Sequence, residues 1–158
     1  MPMPPAAATV AAVLLLATAT ATAHEEGHSA AEKAILYRHS VYHVIEWNVV
    51  AMAAMLKGET PYDAAAFSMR AGRVQALVPM LLEGFPAGSY VAGKTLAKPS
   101  IWSERADFEE LLRRLGTRST ALASAAAGGQ LAVIRPAFDE LTATCKECHK
   151  RFKEKGGH

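Results

Sequence analysis

The chain has 158 residues, of which 51% are hydrophobic and 20% charged, and its formal net charge is +2. A net charge this small, without a long basic run, argues against nucleic-acid binding. Beyond the N-terminal region, no segment has the roughly 20 consecutive apolar residues that a membrane-spanning helix requires, so no membrane partner is expected.

Residues 1–23 have the features of a secretory signal peptide. They carry no charged side chain, their centre from Ala11 to Ala17 is apolar, and they end in Ala21-Thr22-Ala23, a small-residue cleavage pattern. A membrane anchor is the alternative, but the apolar centre is shorter than the roughly 20 residues that span a bilayer. We therefore expect cleavage after about Ala23, export to the periplasm, and a mature single domain over residues 24–158.

The mature chain would begin with a polar stretch in which His24 and His28 match the H-E-x-x-H pattern of zinc proteases. That pattern binds zinc only where a helix places both histidines on one face. Here it precedes the first periodic segment and contains Gly27. A zinc-protease site is therefore not expected.

A first helix is predicted from about Ala30 to Leu56, ended by Lys57-Gly58. Its inward positions recur at alternating intervals of three and four residues, which is typical of a helix that packs against other helices. They are Ile35, Arg38, Tyr42, Ile45, Val49, Met52 and Leu56. Arg38 is the one charged residue among them, and it either has a buried partner or extends to solvent at the end of the bundle.

A second helix is predicted after a short turn. Thr60 is the expected N-cap, Pro61 the first helical residue, and Asp63 a capping partner. The apolar periodicity continues to about Leu82.

A long crossover and a third helix follow. Residues 83–101 contain glycines and prolines without any period, which predicts a loop. Ser103 is the expected N-cap of the third helix, and Gly128-Gly129 ends it.

The fourth helix begins near Gln130 and has the clearest apolar stripe. Pro136 lies in its second turn and is expected to bend the helix or to set its start. The stripe consists of Leu131, Ile134, Phe138, Leu141, Cys145, Cys148 and Phe152. Four helices without any strand pattern predict an all-α antiparallel four-helix bundle, in which cofactor sites lie between facing helices.

The only two cysteines, Cys145 and Cys148, precede His149 in a C-x-x-C-H motif on this last helix. The motif is typical of c-type haem attachment, because positions i, i+3 and i+4 share one helix face, so that two thioethers form and the imidazole reaches the iron. It predicts one covalent haem c near the end of the bundle, with His149 as the metal ligand. A thiol–disulfide enzyme and a zinc site are the alternatives, but such thiols usually lie at a helix N-terminus, and zinc requires a fourth ligand.

The mature region as a whole resembles the cytochrome c′ family. The matching segments are Tyr37-Arg38, Lys57-Gly58, Pro61-Tyr62-Asp63, Ile101-Trp102-Ser103 and the C-x-x-C-H motif. The resemblance implies that Cys145 and Cys148 hold the haem, that His149 is the proximal ligand and that Arg38 pairs with a haem propionate. It also implies a homodimer packed through the first two helices.

Tyr42, one turn after Arg38, matches the position that the family places in the distal pocket. By the resemblance, members with Leu, Phe or Tyr there have five-coordinate iron, whereas members with Met are six-coordinate. Because a neutral phenol with a pKa of about 10 is a poor iron ligand, Tyr42 is predicted to gate an open site. The alternative is His43 as a sixth ligand, which would make the protein a low-spin electron carrier.

We therefore expect a non-enzymatic haem protein whose cofactor-binding residues are Cys145, Cys148, His149, Arg38 and Tyr42. Its expected ligands are nitric oxide and carbon monoxide, because a tight apolar pocket tolerates weakly polar diatomic gases. Electron transfer to an unidentified redox partner is the further role that the resemblance implies.

Overall fold

The computed structural model describes residues 28–156, together with Met1. Its helices are α1 (Ala30–Lys57), α2 (Ala64–Leu77), the short α3 (Ser100–Ser103), α4 (Arg105–Gly128) and α5 (Leu131–Phe152), with a 3₁₀ helix at Val78–Gly84. The four long helices pack as an antiparallel bundle, which confirms the predicted fold class. The predicted signal peptide lies outside the described residues.

The bounds of α1 agree with the prediction. Ser29 Oγ accepts a hydrogen bond from Glu32 N at 3.2 Å, and Glu32 Oε2 accepts one from Ser29 N at 2.9 Å. This reciprocal capping box satisfies two N–H groups that have no partner inside the helix. At the other end, Gly58 adopts a φ of +78°, the left-handed conformation in which glycine avoids the strain of a Cβ atom.

The buried face of α1 differs from the predicted stripe at two places. Val41 and Asn48 are buried, whereas their neighbours Tyr42 and Val49 are half-buried at the edge of the core. The other five predicted positions are buried as expected. Tyr42 therefore borders the core and does not lie at its centre.

The predicted start of α2 is wrong. Asp63, and not Thr60, is the N-cap, since Asp63 Oδ1 accepts a hydrogen bond from Ala66 N at 3.0 Å. Pro61 therefore precedes the helix and does not open it. The carboxylate of an N-cap aspartate accepts a hydrogen bond from the backbone N–H three residues later. That N–H group has no other partner in the first turn of the helix.

The second helix also ends differently from the prediction. The α-helix stops at Leu77, and the chain continues as the 3₁₀ helix Val78–Gly84, with Pro79 near its start. The predicted continuation to Leu82 is thus helical, but its last turns have the tighter 3₁₀ geometry.

The crossover between the 3₁₀ helix and α4 contains the short helix α3. Ser103 belongs to α3, where its Oγ donates to Ser100 O at 3.4 Å, so the prediction of Ser103 as an N-cap is wrong. Glu104 holds the N-cap position of α4 without a side-chain cap. The end of α4 agrees with the prediction, because Gly129 takes a left-handed φ of +71°.

The last helix runs without interruption through Pro136, which therefore does not set its start. Leu131 is 37% exposed, so the predicted stripe is wrong at its first position. Beyond it, the buried side chains of α5 are Ile134, Phe138, Leu141, Thr144 and Phe152. Cys145 and Cys148 lie half-buried at the edge of this face.

A segment of the crossover, residues 96–98, is tied to the end of α5. Lys98 N donates to Phe152 O at 2.9 Å, and Glu154 N donates to Leu96 O at 2.8 Å. An isolated antiparallel bridge joins Ala97 and Lys153 between them. These bonds anchor the chain directly after the C-x-x-C-H motif.

The described residues contain neither a membrane-spanning helix nor a cluster of three or more metal-binding side chains. No helix there is long and apolar enough to cross a bilayer. Within residues 28–156, no group of three or more His, Cys, Asp or Glu side chains could hold a metal ion. Most of the H-E-x-x-H match, residues 24–27, lies outside the described part of the chain.

Candidate haem site

The C-x-x-C-H motif lies in the last two turns of α5, with both thiols half-buried. Burial raises the pKa of the Cys145 thiol, and burial together with the neighbouring Cys145 raises the pKa of Cys148 to about 11. Both thiols are therefore protonated at pH 7. This is the opposite of the activated thiolate that a thiol–disulfide enzyme requires, so the electrostatics of the site do not favour that alternative.

His149 follows the cysteines at an exposed position of α5. Partial burial and the positive charge of Lys153 lower the pKa of its imidazole, while Glu46 on α1 acts in the opposite direction. Because the pKa lies below its ordinary value, the ring is neutral at pH 7. A neutral imidazole is the form that binds a metal.

Tyr42 belongs to α1 and lies opposite the two cysteines of α5. Its ring packs edge-on against Phe85, with 6.5 Å between the ring centroids and 76° between the planes. Burial raises the pKa of its hydroxyl above the ordinary range, and the thiols of Cys148 and Cys145 raise it further. The tertiary structure thus brings together the distal and the attachment residues that the sequence predicts on two separate helices.

Arg38 is 1% exposed and is held by the start of the crossover. Its Nη1 donates to Gly84 O at 3.2 Å, and its Nη2 donates to Ser89 O at 3.1 Å. The guanidinium carbon lies 4.9 Å from the centre of the Phe85 ring and 5.8 Å from that of Trp102. These contacts fix the position of the guanidinium group.

The charge of Arg38 has no carboxylate partner within residues 28–156, and its buried Nε has no acceptor there. Burial lowers its pKa, with Tyr42 acting in the opposite direction, but a guanidinium remains charged at neutral pH. The structure therefore leaves one buried donor directed at no group of the described chain. The alternative prediction, an arginine that extends to solvent, is wrong.

Phe85 is the residue of this site that the sequence did not reveal. It is 3% exposed, and its ring lies 4.9 Å from that of Phe108 and 6.0 Å from that of Trp102, besides its contact with Tyr42. We call Tyr42, Phe85, Trp102, Phe108 and Phe152 the aromatic cluster, since Phe152 continues it from Phe108 at 5.4 Å. The only sequence feature that could have pointed to Phe85 is that it is an aromatic residue between Gly84 and Pro86, in a segment without periodicity.

His43 lies on the outer side of α1. Its side chain is 79% exposed, and its Nδ1 is 3.7 Å from Glu46 Oε2. One residue turns the side chain by about 100° around a helix, so His43 cannot share the direction of Tyr42. His39 is also exposed. The structure therefore does not bring either histidine to the cysteines.

A comparison of the sequence with known families agrees with this geometry. The family profile described as Cytochrome C′ matches residues 33–153, from α1 to the end of α5. The chain belongs to the cytochrome c′ family. It is 34% identical over 122 residues to cytochrome c′ of Rubrivivax gelatinosus, an alignment that covers 77% of this chain and 95% of the relative.

Solved structures of cytochromes c′ have the same fold. Cytochrome c prime from Shewanella frigidimarina superposes with a TM-score of 0.78 at 39% identity, covering 82% of this chain and all of that one. Cytochrome c prime from Alcaligenes xylosoxidans, at 29% identity, has been solved as a ferrous variant with bound NO and as a carbon monoxide-bound variant. Their TM-scores are 0.75 and 0.74, and each covers 82% of this chain and all of the other.

The chain carries a basic rim around His149. Lys146, Lys150, Lys153 and Lys155 line an open cavity of about 480 Å³ together with His149 and Glu154. None of the four lysines forms an ion pair in the part of the chain that the structure describes. Arg151, by contrast, pairs with Glu104 and Asp107 at the start of α4. The four lysines leave an excess of positive charge at this end of the bundle.

Proposed function

We propose that this chain is a periplasmic c-type cytochrome that holds one haem covalently through Cys145 and Cys148, with His149 as the axial ligand. The two half-buried thiols and the neutral imidazole, on one face of α5, support this assignment. Membership of the cytochrome c′ family supports it independently. The proposed export rests on residues 1–23, whose composition is that of a signal peptide.

The surroundings of Arg38 fit the acidic edge of such a cofactor. A buried guanidinium is costly unless it has a partner of opposite charge, and within residues 28–156 Arg38 has none. A haem propionate supplies a carboxylate of the required charge. The role of Arg38 is then to bind that carboxylate while the backbone of Gly84 and Ser89 holds the rest of the guanidinium group.

The further function that the site supports best is binding of a small diatomic gas, nitric oxide or carbon monoxide, at an open coordination position. The observation that carries this proposal is that a protonated phenol, Tyr42, faces the attachment cysteines from α1. Neither His43, which is exposed, nor Met52, about 15 Å further along the helix and fully buried, occupies that place. A five-coordinate haem iron offers the vacant position at which such gases bind.

The absorption spectrum of the ferrous protein with and without carbon monoxide tests the open site. We expect a high-spin spectrum that carbon monoxide converts to a new, sharp Soret band. The alternative, a low-spin electron carrier with His43 as sixth ligand, predicts a split visible spectrum that carbon monoxide leaves unchanged. That result, if the substitution His43→Ala then restored carbon monoxide binding, would replace the gas-binding proposal with the electron carrier.

Electron transfer is the second role that we infer, and the basic rim favours it. Unpaired positive charge beside the haem attachment site steers a negatively charged partner to the place where electrons would leave or enter. The partner that this chemistry selects is an acidic redox protein. No catalytic reaction is assigned to the site.

We also infer that the protein forms a homodimer through the outer face of α1. Leu36, Val44, Trp47 and Val50 are 48%, 48%, 71% and 60% exposed. At about 100° per residue they share one side of the helix, opposite the buried face, and Met69 of α2 is a further exposed apolar residue. An apolar surface on one helix face is self-complementary in a two-fold dimer, as the family resemblance implies.

Substitution of Trp47 tests the dimer. Trp47→Glu places a charge in the centre of this face, and we expect sedimentation velocity at micromolar concentration to show a monomer where the unmodified protein is a dimer. Val133→Glu is the matched control, because Val133 is a 50% exposed apolar residue of α5 outside the proposed interface, and it should leave the dimer intact. A monomeric unmodified protein would contradict the inference.

A further inference from the structure

His39 and His43 are two exposed histidines one helical turn apart on α1. Side chains at positions i and i+4 of a helix lie on the same face, with their Cβ atoms about 5–6 Å apart. Burial lowers the pKa of His39, and the charges of Arg38 and His43 lower it further, so His39 is neutral at pH 7. Two imidazoles at this helical spacing are a common pair of ligands for one metal ion.

The His43 ring has a carboxylate beside one of its two nitrogens. Its Nδ1 is 3.7 Å from Glu46 Oε2, a distance that a small movement of these two exposed side chains shortens to a hydrogen bond. With the carboxylate beside Nδ1, Nε2 is the nitrogen that is left for a metal ion. Histidines that bind metals usually donate their other ring N–H to such a group, which fixes the tautomer.

His43 also lies at the centre of the apolar face through which we infer the dimer. That face runs along α1 from Leu36 to Val50, and His43 is seven residues from each of them. Seven residues are almost two full turns, so the three side chains form one row along the helix. In a two-fold dimer, the residue at the centre of the interface meets its own copy. The dimer therefore brings two copies of His43 together, with His39 one turn away in each chain.

We propose that His39 and His43 of two copies together bind one divalent transition-metal ion, for which zinc is the best fit. This inference rests on the proposed dimer and is independent of the haem. Four imidazole nitrogens match the tetrahedral coordination that zinc prefers. One chain supplies two of them, and within residues 28–156 it has no group of three or more metal-binding side chains, so the site is complete only in the dimer. The ion also offsets the cost of covering polar rings in an apolar interface.

Sedimentation velocity of the holoprotein at graded concentrations tests the site, once with EDTA and once with Zn²⁺. We expect a dimer in both, with a dissociation constant about tenfold lower when free Zn²⁺ is roughly ten times the Kd of the site. His39→Ala and His43→Ala should each remove this difference and still form the dimer in EDTA, because alanine suits an apolar face. His28→Ala is the matched control, because it removes an exposed histidine that precedes α1, and it should keep the full effect.

The stoichiometry and the dimer constants separate this inference from the dimer on which it rests. Isothermal titration calorimetry should find one Zn²⁺ per two chains that both α1 variants lose. Equal dissociation constants in Zn²⁺ and in EDTA would overturn the metal site and leave the dimer standing. One ion per chain, bound without a change in dimerisation, would overturn the sharing of the ion. A monomer under both conditions would overturn the dimer and the metal site together.

Discussion

The double substitution Cys145→Ser, Cys148→Ser should abolish covalent haem in the exported protein. Each serine keeps the size of the half-buried side chain but removes the sulfur that forms a thioether. Mass spectrometry of the denatured protein should therefore show a fall from one haem per chain to none. Far-ultraviolet circular dichroism should still show a helical chain, because neither thiol forms a disulfide in the bundle.

The control for this experiment is Ala143→Ser, which introduces the same side chain at an exposed position of α5 and should leave one haem per chain. Either cysteine substituted alone should retain some covalent haem through the remaining thioether. Haem that stayed attached to the denatured double variant would show that another residue holds it. An unmodified protein without haem would favour the thiol–disulfide or zinc interpretation of the motif.

The substitution Gly84→Ala should destabilise the bundle by about 1–3 kcal/mol, the usual cost of overpacking a core. A Cβ atom at Gly84 would lie 2.6 Å from Arg38 Cβ and 3.2 Å from Arg38 Cα. These atoms belong to the helix α1 itself and cannot rotate away as the end of a flexible side chain can. The 3₁₀ helix and α1 would have to separate, and the hydrogen bond from Arg38 Nη1 to Gly84 O would lengthen.

Urea denaturation measures this effect, with Gly72→Ala as the matched control. Gly72 lies inside α2, and a Cβ atom there would meet nothing within 4 Å. The control should therefore stabilise the protein by up to about 1 kcal/mol, because alanine favours a helix more than glycine does. Equal midpoints for the two variants would mean that the contact of Gly84 with Arg38 is not tight in solution.

The elements that could be predicted were those whose signals lie in residues close together in the sequence. The end of α1 at Gly58 and of α4 at Gly129 followed from glycine at positions that need a positive φ, and the fold class followed from helical periodicity. The predicted N-caps were wrong where two neighbouring polar residues could both have capped the helix. Thr60 and Asp63 are both suitable caps of α2 by residue type, and Ser103 is a better cap by type than Glu104, so only the packing of each helix decides where its first turn begins.

The aromatic cluster and the surroundings of Arg38 could not be predicted in this way. Arg38 binds groups that lie 46 and 51 residues away in the chain, at Gly84 and Ser89. Phe85 joins α1, α3 and α4 from a segment without periodicity. Such contacts depend on how the crossover segment packs against the bundle, and no short sequence pattern predicts that packing.

The sequence by itself determined that this is an all-α chain with a C-x-x-C-H motif on its last helix, and with an arginine and a tyrosine one turn apart on its first. Tertiary structure alone decided that Tyr42 faces the cysteines while His43, the next residue, faces solvent. The physical reason is that the rotation of α1 about its axis is set by all its contacts together. Neighbouring residues differ by about 100° in direction, so a small rotation decides which of them borders the site.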